Sequence, residues 1–474
     1  DFGIFNIVGG AIAMLGFLNA AMASATQRFM SYTEGEGNKE KQKSIFNVSV
    51  VLHLLIALIV GVVLLIAGYF FFNGILNIPS DRIFAAQVVY GSLIVSTMFT
   101  VMTVPYDAVL NAHENMLYYS IVGIVESVLK LSVALIVVHT LSDKLIVYGI
   151  LMACIPLITM SIMRVYCHKH YEECIIQPRR YWHRGLMKEM SSFAGWNLIR
   201  TSITMTSAYG QGIILNHFFG VILNAAQGIA GQINGQLQVL SSNMLKALNP
   251  ILGKSAGANN KELLLKSTIL GAKYSAALYL LVAIPIFIEA PYILKIWLKN
   301  IPEWTIIFVR FQLLKSFIEF QFTTLPGAIN ATGKIKKYTI WSSISNIMQL
   351  PVIYLFFKIS FPPYSMYIST ILFGNICVYI IAMHYAKLYY QLSISVYFKK
   401  TLLPLYITTT LVMGLLYIVQ SLFEINSIWR LLSFIILSIL LFILTFFIIG
   451  CTKEEKNLIF ELKNTISNKI FHHN

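Results

Sequence analysis

The sequence predicts an all-α protein that crosses a membrane many times. Hydrophobic residues make up 57% of the 474 residues and charged residues only 12%, against about 45–50% and about 25% in soluble domains. Apolar runs close to the ~20 residues that a spanning helix needs follow one another with short polar breaks. These runs are about twice as long as barrel strands, and an open sheet cannot cross a bilayer, so we expect helices.

Thirteen apolar segments are long enough to be predicted as membrane-spanning helices. They cover residues 3–25, 45–72, 83–104, 118–138, 145–166, 191–217, 221–248, 264–288, 304–330, 338–357, 365–386, 402–423 and 428–450. The chain begins with Asp1 directly before the first of them, without an initiator methionine or a signal-peptide pattern.

The loops between these segments have an unequal distribution of positive charge. Alternate loops hold 24 Lys and Arg residues on one side and six on the other. Cytoplasmic loops have the excess of positive charge, so we expect the richer side and the C-terminus in the cytoplasm. The first segment then begins outside, which predicts one helix upstream and fourteen spans in all. This placement accounts for the net charge of +15 without a nucleic-acid partner. The six outer cations are Arg82, Lys144, Lys295, Lys299, Lys358 and Arg430.

Two landmarks in the sequence indicate an internal repeat. Ser24 recurs as Ser241 at an offset of 217, and Phe2-Gly3 recurs as Phe219-Gly220 at the same offset. Leu110-Asn111-Ala112 recurs as Ile329-Asn330-Ala331 at an offset of 219. The offset contains six helices, so the two copies have the same orientation and are related by an axis along the membrane normal. We expect an incomplete N-terminal bundle at 1–190, a C-terminal bundle at 191–390, and two extra helices with a cytoplasmic tail at 391–474.

Charged side chains within predicted spans are candidates for function. Each costs about 2.5–3.5 kcal/mol on insertion scales, and five cations against two acids make the interior net positive. They are Glu126, Lys130, Arg200, Lys273, Arg310, Lys315 and Glu319. Lys273 and Arg310 lie near helix ends, where such side chains either reach water or pair internally.

Two acid–lysine pairs have the spacing of one helical turn. Glu126 and Lys130 are four residues apart, as are Lys315 and Glu319, so each pair shares a helical face. Such a pair either only neutralises itself or exchanges a coupling ion, H+ or Na+, during transport. Both readings stay open, and Glu126, Lys315 and Glu319 are the coupling candidates.

Polar residues form a continuous face on two consecutive predicted helices. The first face comprises Asn197, Arg200, Thr204, Ser207 and Gln211, and the second comprises Asn224, Gln227, Gly231, Asn234, Gln238 and Ser241. Steps of three and four residues place each set on one side of its helix. Helix packing needs only an occasional amide, so these faces indicate a hydrated cavity. Signatures of enzymes are absent: the sequence contains no P-loop, HExxH or GxSxG motif, and we expect no catalytic residue, metal or cofactor.

Several short segments resemble the polysaccharide flippases of the Wzx type, within the multidrug/oligosaccharidyl-lipid/polysaccharide exporter superfamily. They are 2–10 with 24–29, Pro105 to Asn111, and Pro326 to Asn330. The resemblance extends over essentially the whole chain and implies two six-helix bundles in a V around a central cavity, two extra C-terminal helices, and alternating access. By this resemblance, we expect the first helix of the family to be missing from this sequence.

We therefore expect a flippase of the bacterial inner membrane that moves an undecaprenyl-pyrophosphate-linked oligosaccharide from the cytoplasmic to the outer leaflet for surface polysaccharide assembly, with polysaccharide polymerases as partners. A cationic cavity suits pyrophosphate, and amides suit sugar hydroxyls. The alternatives are an ion-coupled drug or metabolite antiporter and, from another class, a membrane-embedded polysaccharide polymerase. The expected cavity residues are Arg200, Lys130, Asn197, Thr204, Ser207, Gln211, Gln227, Asn234 and Gln238.

Overall fold

The computed structural model describes residues 16–75, 79–421, 427–457 and 461, and within these ranges every regular element is a helix. Among these described residues, nine helices are long and apolar enough to cross a membrane. We number the main helices α1 Gly16–Glu36, α2 Lys39–Asn73, α3 Ser80–Ala112, α4 Met116–His139, α5 Lys144–His170, α6 Arg184–Phe219, α7 Val221–Gly257, α8 Lys261–Trp297, α9 Thr305–Phe320, α10 Thr324–Thr332, α11 Lys336–Lys358, α12 Ser365–Tyr390, α13 Ile394–Ser421 and α14 Ile428–Gly450.

The helices of the described chain overlap the predicted segments, often with different ends, and the all-α membrane fold is confirmed. The start of the first segment, including Phe2-Gly3, lies outside the described residues. α6 and α7 have 36 and 37 residues, yet are not among the nine apolar helices, because polar residues run along them.

The prediction of one helix at 304–330 is wrong, since a turn at residues 321–323 separates α9 from α10. Pro326 lies in the first turn of α10, where its missing N–H costs little, but it could not continue the hydrogen-bond ladder of α9.

Side-chain caps explain where several helices begin. The Asn38 side chain accepts a hydrogen bond from Lys41 N at the start of α2, and Asn115 accepts one from Tyr118 N at the start of α4. Asp143 Oδ1 accepts from the backbone nitrogens of Leu145 and Ile146. Each cap satisfies donors that the first turn of a helix leaves unpaired.

The internal repeat is visible in two equivalent turns. Glu114 after α3 has φ 56° and Gly333 after α10 has φ 78°, and these positions differ by the offset of 219. Glu114 N donates to Asn111 O at 2.9 Å, and Gly333 N donates to Asn330 O at 3.0 Å. The repeated Asn-Ala sequence thus ends a helix in the same way twice.

The chain forms two compact units that do not follow chain order. Unit 1 contains the described residues of Asp1–Ser202 with Asn249–Lys261 and Asn330–Thr339, and unit 2 contains Ile203–Leu248, Glu262–Ile329 and the described residues from Ile340 onward. Among the apolar helices described in unit 2, α8 is the most buried. Of its most apolar stretch, 56% of the residues are buried, against 39% or less in α11, α12, α13 and α14. The predicted domain limits at 190 and 390 stay predictions from the repeat.

Candidate functional site

The predicted polar face of α6 begins in unit 1 with a buried amide and a half-buried arginine. Asn197 is buried and donates through Nδ2 to Ser24 Oγ at 3.4 Å. Arg200 Nη2 donates to Asn197 Oδ1, also at 3.4 Å. Asn197 therefore links the guanidinium of Arg200 to α1.

The same face continues in unit 2, where it joins α11. Ser207 Oγ donates to Asn346 O at 3.1 Å, and Gln211 Nε2 donates to Gln349 Oε1 at 2.8 Å. Gln349 in turn donates to Asn346 Oδ1 at 2.8 Å. Thr204, between the two ends of the face, is exposed.

The predicted polar face of α7 packs against neighbouring helices of unit 2. Asn234 is buried and accepts a hydrogen bond from the Tyr279 hydroxyl at 2.8 Å, while Ser241 donates to Ser275 O at 2.8 Å. Gln238 Nε2 donates to Ser316 Oγ on α9 at 3.1 Å. Gln227, like Asn224, is half-buried. The side chains of Asn234, Gln238 and Ser241 thus form hydrogen bonds within the bundle.

An adjacent face of α7 is open, and Gly231 is the one residue of it that the sequence analysis singled out. Gln232, Gln236 and Asn243 are exposed. A Cβ built at Gly228, Gly231 or Gly235 would meet no atom within 4 Å. We call these six residues the open face. The signal available in the sequence was a second set of polar and small residues at helical spacing.

The open face differs from the exposed face of a helix that presents aliphatic groups. α4 exposes Leu117, Ile124, Val128, Leu131 and Leu135, as expected against lipid tails. The open face of α7 instead combines amides with glycines, which expose backbone, beside the exposed aliphatic residues Val239 and Leu240. α7 also contains no Asp or Glu, so this surface is polar without negative charge.

The ion pair expected from the spacing of Glu126 and Lys130 is present. Lys130 Nζ lies 2.6 Å from Glu126 Oε1, and the side chains are 51% and 42% exposed. The pair is therefore accessible rather than enclosed. Lys315 and Glu319 are both half-buried, and no ion pair joins them among the described residues; the backbone oxygen of Lys315 accepts from Asn375 at 2.9 Å.

Lys273 is fully buried and pairs internally instead of reaching water. Its Nζ lies 2.7 Å from Glu455 Oε2, with side-chain exposures of 0% and 8%. Glu455 follows α14 and also accepts from Thr452 N at 2.7 Å, while its own N donates to Thr452 Oγ1. This reciprocal arrangement is a capping box, and it fixes the carboxylate that neutralises Lys273.

A second buried pair joins α8 to α14 and was missed by the sequence analysis. Arg430 donates to the two oxygens of Glu289 at 3.0 and 2.6 Å, a bidentate geometry. Glu289 is buried and also accepts from Gln420 at 3.3 Å. Arg430, which the sequence analysis counted with the cations of the outer side, lies in the first turn of α14. Arg310 is likewise held within the protein, where its Nε donates to Phe287 O at 3.1 Å.

Comparison with known proteins identifies the fold and one family segment. Residues 198–355, one third of the chain, match the MatE family model. The structure is similar to a crystal structure of a MATE mutant, with a TM-score of 0.71 and 16% identity over 82% of this chain and 87% of that chain. No curated protein matches the sequence significantly.

Two further solved structures share the fold. One is a transporter of the MOP superfamily from Pyrococcus furiosus, described by a binding pocket of reverse polarity, with a TM-score of 0.68 and 16% identity over 84% of this chain and 88% of that chain. The other is an outward-facing multidrug resistance MATE family transporter, with a TM-score of 0.68, 17% identity and the same coverages. The described chain therefore has the fold of MATE transporters and contains a MatE segment.

Proposed function

We propose that this chain is a MatE-type transporter that moves an undecaprenyl-pyrophosphate-linked oligosaccharide from the cytoplasmic to the outer leaflet by alternating access. The observation that best supports this cargo is the open face of α7. Its exposed amides, Gln232, Gln236 and Asn243, lie beside a strip of glycines with free space above it.

The chemistry of the open face suits a sugar chain. Each amide offers both donors and acceptors, which matches hydroxyl groups that also do both. Glycines at 228, 231 and 235 let a bulky cargo approach the backbone. The absence of acidic residues in α7 provides no counter-charge for a cationic drug. Arg200 and Lys130 would provide positive charge for the pyrophosphate.

An ion-coupled drug or metabolite antiporter is the second candidate. It is favoured by the similarity to a multidrug resistance MATE family transporter, and by Glu126, whose carboxylate is 42% exposed and could attract a cation. H+ or Na+ would be the coupling ion in that case.

A steric test of the open face replaces one of its glycines by leucine. Gly235→Leu should slow flipping of a fluorescent lipid-linked oligosaccharide in proteoliposomes by roughly tenfold or more, because overpacking a fitted contact costs about 1–3 kcal/mol. The fold should survive, since a Cβ at this position meets no other atom within 4 Å.

Gly414→Leu in α13 is the matched control. Gly414 also has open space around its Cβ position, but its neighbours on that face, Leu411 and Ile418, are exposed aliphatic residues, so the added leucine should leave transport unchanged. Equal rates for the two variants would reject the open face as the cargo surface. Uptake of a cationic dye driven by a proton or sodium gradient, without oligosaccharide flipping, would favour the antiporter.

The Glu126–Lys130 pair provides a further prediction. Lys130→Ala should lower transport, because the freed carboxylate of Glu126 repels an anionic cargo, and Lys130→Ala with Glu126→Ala should do less harm than the single change. Stability should change by no more than about 0.5 kcal/mol, since exposed i,i+4 pairs contribute little. Flipping rates at matched protein levels check this, and a double variant no better than Lys130→Ala would contradict it.

A further inference from the structure

The ends of α1 and α7 cross with their backbones in contact. A Cβ on Gly35 would overlap the backbone of Lys254, and one on Gly257 would overlap the carbonyl oxygen of Tyr32. A Cβ on Gly253 would lie 2.6 Å from that of Ser31. All these residues belong to unit 1 and to the side predicted to be cytoplasmic. Only glycine fits such a crossing.

Near these ends, α1 and α7 each also bind, through a basic side chain, to the chain at or next to one of the two repeated turns. Arg28 of α1 donates through Nε and Nη2 to Ala331 O, both at 3.3 Å. Its guanidinium carbon lies 4.5 Å from the ring centre of Phe29. Lys254 of α7 lies 2.9 Å from Glu114 Oε1 in the turn after α3.

The interactions Arg28–Ala331 and Lys254–Glu114 each join one copy of the repeat to the other copy. α1 and α7 correspond through the offset of 217, and the turns at Glu114 and Gly333 correspond through the offset of 219. α1 of the first copy therefore holds the turn of the second copy, and α7 of the second copy holds the turn of the first. Sequence-distant parts of the two copies are fastened together at one place.

The turn after α3 is itself fixed from two directions. His113 Nε2 lies 2.5 Å from Glu173 Oε1, and its Nδ1 lies 3.5 Å from Glu34 Oε1. The His113 ring stacks on Tyr171 at 4.3 Å. Burial alone would raise the pKa of Glu34, but the hydrogen bond from Gln42 and the charges of His113 and Lys39 hold that pKa below its ordinary value. Glu114 thus offers Lys254 a rigid attachment.

We propose that Arg28, Gly35, Glu114, Lys254, Gly257 and Ala331 form a clasp that shuts the cytoplasmic side and opens once in every transport cycle. The clasp rests on the proposed transport function but not on the identity of the cargo. Its two interactions, the Lys254–Glu114 ion pair and the Arg28–Ala331 hydrogen bonds, differ in strength. Lys254 and Glu114 are 27% and 44% exposed, so this ion pair is weak and easily broken, whereas Arg28 lies against aromatic rings.

Opening can be measured at Ser31, which is buried in the crossing. In a Ser31→Cys protein, the rate at which an impermeant maleimide labels position 31 in inside-out vesicles reports the open state. Lys254→Glu should raise this labelling rate roughly threefold to thirtyfold. The variant loses the attraction between residue 254 and Glu114, and the two carboxylates repel each other instead. Glu114→Lys combined with Lys254→Glu should return the rate toward that of the parent.

Lys261→Glu is the matched control, because Lys261 is exposed in the same part of unit 1 and outside the clasp; its labelling rate should equal that of the parent. An unchanged rate in Lys254→Glu, or a double variant no slower than the single one, would overturn the clasp. The assay needs no cargo. A labelling response without oligosaccharide flipping would keep the clasp and reject the proposed cargo.

Discussion

Arg200→Ala should abolish transport while the protein reaches the membrane in normal amounts. Arginine offers a planar fork that grips phosphate oxygens in bidentate fashion, whereas lysine supplies only a point charge. Asn197 accepts a hydrogen bond from Arg200 and is itself bound to Ser24, so the guanidinium has a fixed support. Arg200→Lys should therefore restore transport only in part.

The measurement is flipping of the lipid-linked oligosaccharide in proteoliposomes with matched amounts of protein. Arg164→Ala is the control for the loss of one cation, because Arg164 is exposed near the end of α5; this variant should transport normally. Full activity in Arg200→Ala, or complete rescue by lysine, would refute the role of the fork.

Lys273→Ala should lower the free energy of unfolding by about 3–5 kcal/mol, because removal of one partner leaves a buried charge without compensation. The partner is Glu455, which is only 8% exposed. Lys273→Met combined with Glu455→Gln should recover most of this loss, since the apolar side chain fills the site and the amide can still accept the hydrogen bond from Thr452. Equilibrium unfolding in detergent micelles tests both variants.

Lys43→Ala provides the comparison, since the Glu40 side chain of its pair is 68% exposed and the loss of such a pair costs about 1 kcal/mol or less. If Lys273→Ala were no more destabilising than Lys43→Ala, or if the double variant were as unstable as the single one, the buried pair would not stabilise unit 2.

The sequence was a good guide to the helices, because long apolar runs have only one way to cross a bilayer. It also located the repeated turns, since Leu110-Asn111-Ala112 and Ile329-Asn330-Ala331 end helices through local hydrogen bonds. The Glu126–Lys130 pair followed from spacing alone. The same rule did not yield a pair at Lys315 and Glu319, because spacing places two side chains on one face but does not decide what else that face contacts.

The orientation of α7 shows where the sequence is insufficient. Helical periodicity identifies residues that share a face, but α7 has two polar faces, and only packing decides which is covered. Asn234 and Ser241 turned out to contact α8, while Gln232 and Gln236 are exposed. Glu289 was overlooked because it lies one residue beyond the predicted segment 264–288, and its partner Arg430 is 141 residues away. No local pattern connects such residues.

The contact between Lys273 and Glu455 also has a consequence for biogenesis. The partners are separated by 182 residues, so at about 5–20 residues per second a ribosome needs roughly 10–40 s to make the acid after the lysine. During that interval the ammonium group of Lys273 has no native partner. Nascent chains should therefore depend on water, lipid headgroups or the insertion machinery at this point, and truncation before Glu455 should direct the protein to membrane proteases even when every transmembrane helix is intact.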